Sequence, residues 1–229
     1  HAYRGTSPLV SYPRVLGHEI AGIVADVGER VPDRFRVGER VTPVPTSDCG
    51  ICPACRVGRT NCCLFYVTLG VQRDGGLTAR IAVPYAKVHA GGELSMQEIA
   101  LVEPMSVGYH AANRGLVSEV DTVLVIGAGT IGIGAIAASA RKGAVVIAAD
   151  VDDGKLEMAR RFGAQHTIHS LREDVVAAVH DLTAGVGARV AIEAVGLPAT
   201  YRQAVDAVCY AGRVVFIGYA MDEVPFDTK

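Results

Sequence analysis

The sequence lacks any large excess of charge of one sign. Its 229 residues include 22 lysines and arginines against 24 aspartates and glutamates, and the formal net charge is −2. A domain that binds nucleic acid normally carries a clustered basic surface, which this composition does not indicate. The sequence therefore predicts no DNA or RNA partner, and it disfavours a nucleic-acid-binding zinc ribbon.

Long apolar runs and targeting segments are also missing. No uninterrupted apolar stretch reaches the roughly 18 residues that span a bilayer, and the first residues do not have the pattern of a secretory signal peptide. Hydrophobic residues still make up 50% of the chain and the mean hydropathy is +0.28, which is enough for a sizeable core. We therefore expect a cytoplasmic protein without a membrane partner, folded as one large or two ordinary domains.

Four of the six cysteines have the spacing of a metal site, C-x2-C-x2-C-x7-C. They are Cys49, Cys52, Cys55 and Cys63. Four thiolates that converge on one point suit the tetrahedral coordination of Zn²⁺ and leave no open position. Two disulfides are the alternative, but disulfide frameworks are typical of small secreted chains. The spacing thus predicts a structural zinc site.

The chain divides into two halves of different pattern. The first is rich in glycine, proline and short β-like runs, at Glu19–Val27, Arg40–Val44, Leu77–Val83 and Lys87–His89. The second alternates strands with helices after a helix near Met105–Arg114. Its predicted strands are Thr122–Ile126, Val145–Ala149, His166–Ile168, Val190–Glu193 and Arg213–Ile217, and its predicted helices are Thr130–Lys142, Asp153–Phe162, Asp174–Leu182 and Ala199–Val208. Such alternation predicts an α/β fold with a parallel sheet.

A glycine-rich turn follows the first strand of the second half. Gly127-Ala128-Gly129-Thr130-Ile131-Gly132 is a G-x-G-x-x-G sequence that opens a helix. Gly127 suits the tight turn, Gly129 the close approach of a pyrophosphate and Gly132 the packing of helix on strand. This turn predicts a dinucleotide site of Rossmann type, with Thr130 and Ile131 at the start of its helix.

An acidic residue stands where such a site binds ribose. Asp150 ends the second strand, eighteen residues after Gly132, and its carboxylate can accept hydrogen bonds from the adenosine ribose. Asp152 and Asp153 follow, with no arginine beside them in the sequence. Because these charges would repel a 2′-phosphate, we expect NAD rather than NADP.

In combination, these motifs resemble the zinc-dependent medium-chain dehydrogenase/reductase family, which contains the alcohol and polyol dehydrogenases. The matching stretches are Arg14-Val15-Leu16-Gly17-His18-Glu19, the four cysteines, Asp74-Gly75-Gly76, Leu101-Val102-Glu103-Pro104 and the glycine-rich turn. Glu103-Pro104 is most similar to the sorbitol, threonine and sugar-acid dehydrogenase branch. The resemblance implies a GroES-like catalytic domain over residues 1–105, with a zinc lobe at 47–64, and an NAD-binding Rossmann domain over 106–229.

The same resemblance implies roles for individual residues. His18 and Glu103 would bind a catalytic zinc, Glu19 would be a ligand in some states, and the four cysteines would bind a separate structural zinc. The remaining ligand of the family is a cysteine in a C-G-S/T-D-x-H segment, of which only the final histidine could be present, as His1. We expect His1 to take part in a proton relay.

The family resemblance also implies what lies outside the sequence and how the chain assembles. The catalytic cysteine segment is expected before His1 and a sixth parallel strand after Lys229, so both domains are expected to be incomplete here. Homodimers or homotetramers are usual for the family. The implied activity is hydride transfer between NAD and a secondary alcohol, namely a polyol, a sugar acid or a hydroxy-amino acid. A non-catalytic NAD-binding protein with structural zinc alone is the alternative.

Overall fold

The computed structural model describes residues 2–226 except 6 and 8. The chain forms two compact units, and the division falls between Glu103 and Pro104. A 19-residue helix, α2 (Met96–Arg114), runs across this division and contains Pro104.

The first unit is built from short strands and turns. Its strands are β1 (Gly22–Ile23), β2 (Arg40–Pro43), β3 (Thr46–Ser47), β4 (Val67–Thr68) and β5 (Val88–Ala90). Strands β1, β2 and β5 form one antiparallel sheet in that order, and β3 pairs with β4. A single-turn helix, α1 (Pro53–Arg56), and three 3₁₀ turns at Ala2–Arg4, Thr60–Cys62 and Tyr85–Lys87 complete it.

The predicted strands of this unit are only partly correct. Arg40–Val44 and Lys87–His89 correspond to β2 and β5, whereas the run Glu19–Val27 is reduced to the two residues of β1. The prediction of a strand at Leu77–Val83 is wrong, because residues 77–83, all of them described, form bends and segments without regular secondary structure. A β-strand needs a regular series of hydrogen bonds to a neighbouring strand. Leu77 N–H donates to Leu16 O (2.9 Å), but no such series continues from this bond along residues 77–83.

The second unit is a five-stranded parallel sheet of Rossmann type with helices on its faces, as predicted. Its elements are β6 (Thr122–Ile126), α3 (Thr130–Arg141), β7 (Val145–Asp150), α4 (Asp153–Arg161), β8 (His166–His169), α5 (Val175–Leu182), β9 (Ala188–Glu193), α6 (Pro198–Asp206) and β10 (Val208–Phe216). The strand order is β10-β9-β6-β7-β8. Most bounds lie within two residues of the prediction, but β10 begins earlier, with a register shift between Val208 and Arg213.

Alternation along the central strands explains why both faces of the sheet are covered. In β6, Val123 and Val125 belong to one apolar cluster, while Leu124 and Ile126 belong to another. Successive side chains of a strand point to opposite faces, so one continuous apolar run supplies two cores. Because the strands are parallel, their carboxyl ends lie at one edge of the sheet, where the helices begin.

The helices of this unit start and stop where the sequence signals indicate. Asp152 caps α4 by accepting a hydrogen bond from Lys155 N–H (2.9 Å), and Asp174 caps α5 by accepting one from Ala177 N–H (2.9 Å). Gly143 and Gly163 follow α3 and α4 with φ of +84° and +109°, the left-handed conformation common after helices. None of the helices in the described part of the chain is both long and apolar enough to cross a membrane.

Candidate functional site

The four predicted cysteines come together in the first unit. The Sγ atoms of Cys49, Cys52, Cys55 and Cys63 all lie within 4.8 Å of one another, and all are free thiols. Tetrahedral zinc with bonds of about 2.3 Å would place its four sulfurs about 3.8 Å apart. The cluster therefore fits a zinc ion that is bound by four protein ligands. Cys62, next to Cys63, is exposed and lies outside the cluster.

Backbone N–H groups point at these sulfurs. Cys49 N–H donates to the Sγ of Cys63, Cys52 N–H to the Sγ of Cys49, and Phe65 N–H to the Sγ of Cys63, each at 3.3 Å. Such donors stabilise the thiolate form that binds metal. The turns at Gly50 and Gly58, with φ of +72° and +74°, bend the chain around the cluster.

The pKa values of Cys49, Cys52 and Cys55 are shifted in different directions. Backbone N–H groups of Ile51 and Cys52 lower the pKa of Cys49, and those of Cys55 and Leu64 lower the pKa of Cys52 to about 6. Burial raises the pKa of Cys55 to about 12. Zinc binding at this cluster must therefore displace protons, which couples metal affinity to pH.

A backbone clamp fixes the segment that contains His18. Gly75 N–H donates to Val15 O (2.7 Å) and Gly76 N–H donates to Gly17 O (2.8 Å). Gly17 has φ of +96°, and a Cβ on Gly75 would overlap its carbonyl oxygen. The glycine at 75 is thus needed for the close approach of this segment to the turn that ends at His18.

Glu103 lies within electrostatic range of this turn. The carboxyl group is half-buried, and burial raises its pKa; the nearby His18 lowers that pKa and the nearby Glu19 raises it. Among the residues that the structure describes, however, the ligand atoms of these three do not form a metal-sized group as those of the cysteines do. His1, the fourth predicted catalytic residue, lies outside the described residues.

The glycine-rich turn of the second unit forms an open cradle. Gly127 has φ of +94°, and a Cβ on Gly132 would overlap its carbonyl oxygen. At Gly129 a Cβ would meet no heavy atom of the described chain within 4 Å. The space lies in front of Thr130 and Ile131, where the free N–H groups of α3 favour an anion. The cradle therefore fits a pyrophosphate.

Asp150 closes one side of the cradle. Its Oδ2 accepts from Ala128 N–H (2.7 Å), and its Oδ1 accepts from Val151 N–H (2.7 Å) and Asp152 N–H (3.1 Å). A carboxylate has about four acceptor positions, so one remains for a ribose hydroxyl. Sequence reasoning missed Lys155, whose Nζ lies 3.8 Å from Asp150 Oδ1.

The sequence also underestimated the positive charge at this edge. Arg172, which follows β8, forms two contacts with Asp153, of 3.0 and 2.8 Å. His169 Nε2 lies 3.8 Å from the same carboxylate. The acidic residues after β7 are therefore partly neutralised by a segment nineteen positions further along.

Glu193, at the carboxyl end of β9, has a role that the sequence did not indicate. It is completely buried, and its Oε1 accepts from Val195 N–H, Gly196 N–H and the Thr200 hydroxyl, each at 2.8 Å. A Cβ on Gly127 would lie 2.7 Å from a methyl group of Val195. The carboxylate thus holds the loop after β9 against the glycine-rich turn.

Two family models match the chain, one in each half. Residues 1–93 match the alcohol dehydrogenase GroES-like domain, and residues 130–229 match the zinc-binding dehydrogenase domain.

Among curated proteins, a zinc-type alcohol dehydrogenase-like protein of Haemophilus influenzae is 36% identical over 229 residues, which is 100% of this chain and 67% of that protein. The L-galactonate-5-dehydrogenase of Escherichia coli is 35% identical, over 99% of this chain and 66% of its own length. The sorbitol dehydrogenase of Bacillus subtilis is 36% identical, over 96% of this chain and 63% of its own length. The chain therefore spans about two thirds of the length of the curated relatives it matches.

Solved structures are similar to this chain over nearly its whole length. A zinc-binding dehydrogenase from Sinorhizobium meliloti bound to NADP has a TM-score of 0.92 and 30% identity, with 99% of this chain and 68% of that chain covered. An alcohol dehydrogenase from Escherichia coli complexed with NADH has a TM-score of 0.89 and 32% identity, with 99% of this chain and 66% of that chain covered. Both forms of the cofactor thus occur among its structural relatives.

Proposed function

The chain belongs to the family of zinc-binding alcohol dehydrogenases with a GroES-like domain. From this membership we propose that the protein is a zinc-dependent, NAD-linked oxidoreductase. The reaction is hydride transfer between NAD and a secondary alcohol. The substrate class is a polyol, a sugar acid or a hydroxy-amino acid, as in the galactonate and sorbitol dehydrogenases that it resembles.

The observation that carries this proposal is the open cradle at the start of α3. Gly129 leaves the space in front of the helix free, and Asp150 stands beside it with one acceptor position unused. The helix N-terminus binds the pyrophosphate through backbone N–H groups, and Asp150 orients the adenosine ribose by accepting from its hydroxyls. Bound in this way, NAD supplies the acceptor for the hydride.

A second zinc site is proposed at His18 and Glu103, with Glu19 as a ligand in some states. A zinc ion there would supply a Lewis acid that lowers the pKa of a substrate hydroxyl. The backbone clamp at Gly75 and Gly76 supports this role because it fixes the turn that presents His18. His1 is proposed to carry the released proton towards solvent.

The four cysteines have a different role in this proposal. Because they provide all four ligands of a tetrahedral zinc, no position is left for substrate. They hold the segment between β3 and β4 in its compact form and take no part in the chemistry.

Metal content separates this proposal from a non-catalytic NAD-binding protein with structural zinc alone. That alternative has one observation in its favour, since only the cysteines form a metal-sized group in the described chain. We expect two zinc ions per chain by mass spectrometry of the metal, and one after the double substitution H18A/E103Q. One zinc in both proteins, together with no reduction of NAD by any polyol, sugar acid or amino alcohol, would support the alternative.

A further inference from the structure

The segment around the cysteine cluster exposes four large apolar side chains. Ile51, Val57, Leu64 and Phe65 are 67–75% exposed, and each lies within two residues of a clustered cysteine. The four sulfurs of the cluster lie within 4.8 Å of one another, so these side chains are gathered around one small centre. Exposed apolar side chains that lie close together among polar residues are typical of a surface that binds another protein.

Two arginines make this part of the surface positive. Arg56 and Arg59 are exposed, and their side chains form no hydrogen bond or ion pair with the other residues that the structure describes. Residues 49–66 contain no aspartate or glutamate. Zinc with four thiolates is anionic, but Cys52 and Cys63 are buried whereas the two arginines are not. We call the following six side chains the lobe surface: Ile51, Arg56, Val57, Arg59, Leu64 and Phe65.

A segment of the second unit has the opposite charge. Tyr219 and Met221, which follow β10, are 66% and 63% exposed, and the exposed Asp222 and Glu223 come directly after them. We call residues 219–223 the acidic segment. Aromatic residues, methionine and arginine are enriched in protein interfaces, and the acidic segment and the lobe surface together contain all three kinds.

The two acids of this segment also differ from the other paired acids of the chain. The sequence has three pairs of adjacent acidic residues, and the other two are Asp152-Asp153 and Glu173-Asp174. In those pairs two carboxylates cap helices, one is bound by Arg172 and one accepts from His169 N–H. The side chains of Asp222-Glu223 have no such partner among the described residues. The acidic segment thus carries two unpaired acids beside exposed apolar side chains, as the lobe surface carries two unpaired arginines.

We propose that these two surfaces bind each other between copies of this chain, with the lobe surface of one copy on the acidic segment of another. The arginines of one copy face the acids of the other, and the apolar side chains around them exclude water. Opposite charges fix how the surfaces meet, while two lobe surfaces repel each other. In a pair of copies related by a two-fold axis, such a contact occurs twice. The contact does not depend on the catalytic role, because neither surface contains a residue proposed to bind NAD or the catalytic zinc.

Charge reversal on one surface tests the pairing. R56E/R59E reverses the charge of the lobe surface, and D222R/E223R reverses that of the acidic segment. The variant with all four substitutions, R56E/R59E/D222R/E223R, reverses both surfaces and keeps the formal net charge of the parent. The matched control is R30E/R36E, which makes the same change at two exposed arginines of the first unit outside the lobe surface.

Sedimentation velocity of the zinc-loaded protein at a series of micromolar concentrations gives the dissociation constant for self-association. We expect the parent to associate, and R56E/R59E and D222R/E223R each to raise the dissociation constant by about tenfold or more, because like charges then face each other. The variant with all four substitutions should return to within about threefold of the parent, since the pairing is restored with opposite polarity. R30E/R36E should stay within about twofold of the parent, because it touches neither surface.

The apolar part of the lobe surface is tested by L64S/F65S. This variant keeps the charges and removes two exposed apolar side chains, so the dissociation constant should rise by about tenfold. Zinc content equal to that of the parent shows, for every variant, that the cysteine cluster is intact.

The inference is overturned if the zinc-loaded parent is a monomer over the whole concentration range. It is also overturned if R56E/R59E and D222R/E223R keep their zinc and associate as the parent does, because the copies would then meet through other surfaces. A variant with all four substitutions that associates as weakly as those with one reversed surface would overturn it too, since the lobe surface and the acidic segment would then not be partners.

Discussion

Gly132 packs so closely on Gly127 that a Cβ atom at position 132 would overlap the carbonyl oxygen of residue 127. The obstacle is backbone, which cannot rotate away as a side chain can. We therefore expect Gly132→Ala to destabilise the protein by about 3 kcal/mol, at the upper end of the usual cost of overpacking. Thermal unfolding of the purified variant measures the loss.

Gly129→Ala is the matched control for that substitution. The described chain has no heavy atom within 4 Å of the added Cβ, and the backbone at Gly129 is extended, with φ of −70°. Stability should stay within about 0.5 kcal/mol of the parent. Affinity for NADH should nevertheless fall by about tenfold or more, because the methyl group enters the space assigned to the pyrophosphate. Unchanged affinity would argue against that assignment.

Substitution of one of the four clustered cysteines should abolish binding of the structural zinc. In Cys52→Ser a buried ligand is replaced by a hydroxyl that binds zinc poorly, so the zinc content should fall by one ion per chain and the unfolding temperature should drop. Cys62→Ser changes an exposed thiol outside the cluster and should keep both properties. Equal zinc content in the two variants would contradict the assignment of the ligands.

Ionised Asp121 should stabilise the folded protein, so that the free energy of unfolding decreases at acid pH. Burial acts to raise its pKa, but hydrogen bonds from Ser118 and the charges of Arg213 and Arg189 outweigh it and bring the pKa below its usual value. A carboxyl group with a lowered pKa in the folded state stabilises the protein fully above its unfolded pKa of about 3.9. This contribution is lost as the pH falls below that value and through the folded pKa.

The variant Asp121→Asn should lose about 2 kcal/mol at neutral pH, the scale of hydrogen bonds to a charged group. Urea unfolding between pH 7 and pH 2.5 should show a flatter profile for this variant than for the parent. Asp33→Asn, at an exposed position, should reproduce the parent profile. Parallel profiles for Asp121→Asn and the parent would show that the arginines do not hold this carboxylate ionised.

Glu193 should be required for both stability and cofactor binding. Glu193→Ala leaves the N–H groups of Val195 and Gly196 without their acceptor, and the loss at the buried Gly196 should cost about 1–3 kcal/mol. Affinity for NADH should fall as well, because the loop after β9 is no longer held against the glycine-rich turn. Thr200→Val removes one of the three donors to the carboxylate, together with the acceptor of Leu197 N–H, and should have a smaller effect on both. If Glu193→Ala unfolds as the parent does, the carboxylate does not support the loop.

The Rossmann half could be predicted from the sequence because its signals are local. Each buried strand is an apolar run, and Gly143 and Gly163 mark the ends of helices within a few residues. The strands of the first unit depend on pairing between distant segments, as β2 does with β5, and propensity alone placed a strand at Leu77–Val83 that the structure does not form.

The candidate sites follow the same division. Cysteine spacing is local and predicted the metal cluster. The contact of Asp153 with Arg172 joins residues nineteen apart, and that of Asp121 with Arg213 joins residues 92 apart. These contacts exist because the parallel sheet brings segments that are distant in sequence together at the ends of its strands, which no short motif encodes. The charge at the ribose site was misjudged from sequence for this reason.

The most direct test of the account is a calorimetric titration of the zinc-loaded protein with NADH. We expect one binding site per chain, with an affinity that Gly129→Ala reduces by about tenfold or more while the fold is unchanged. Absence of binding at millimolar NADH by the correctly folded, zinc-loaded parent protein would contradict it.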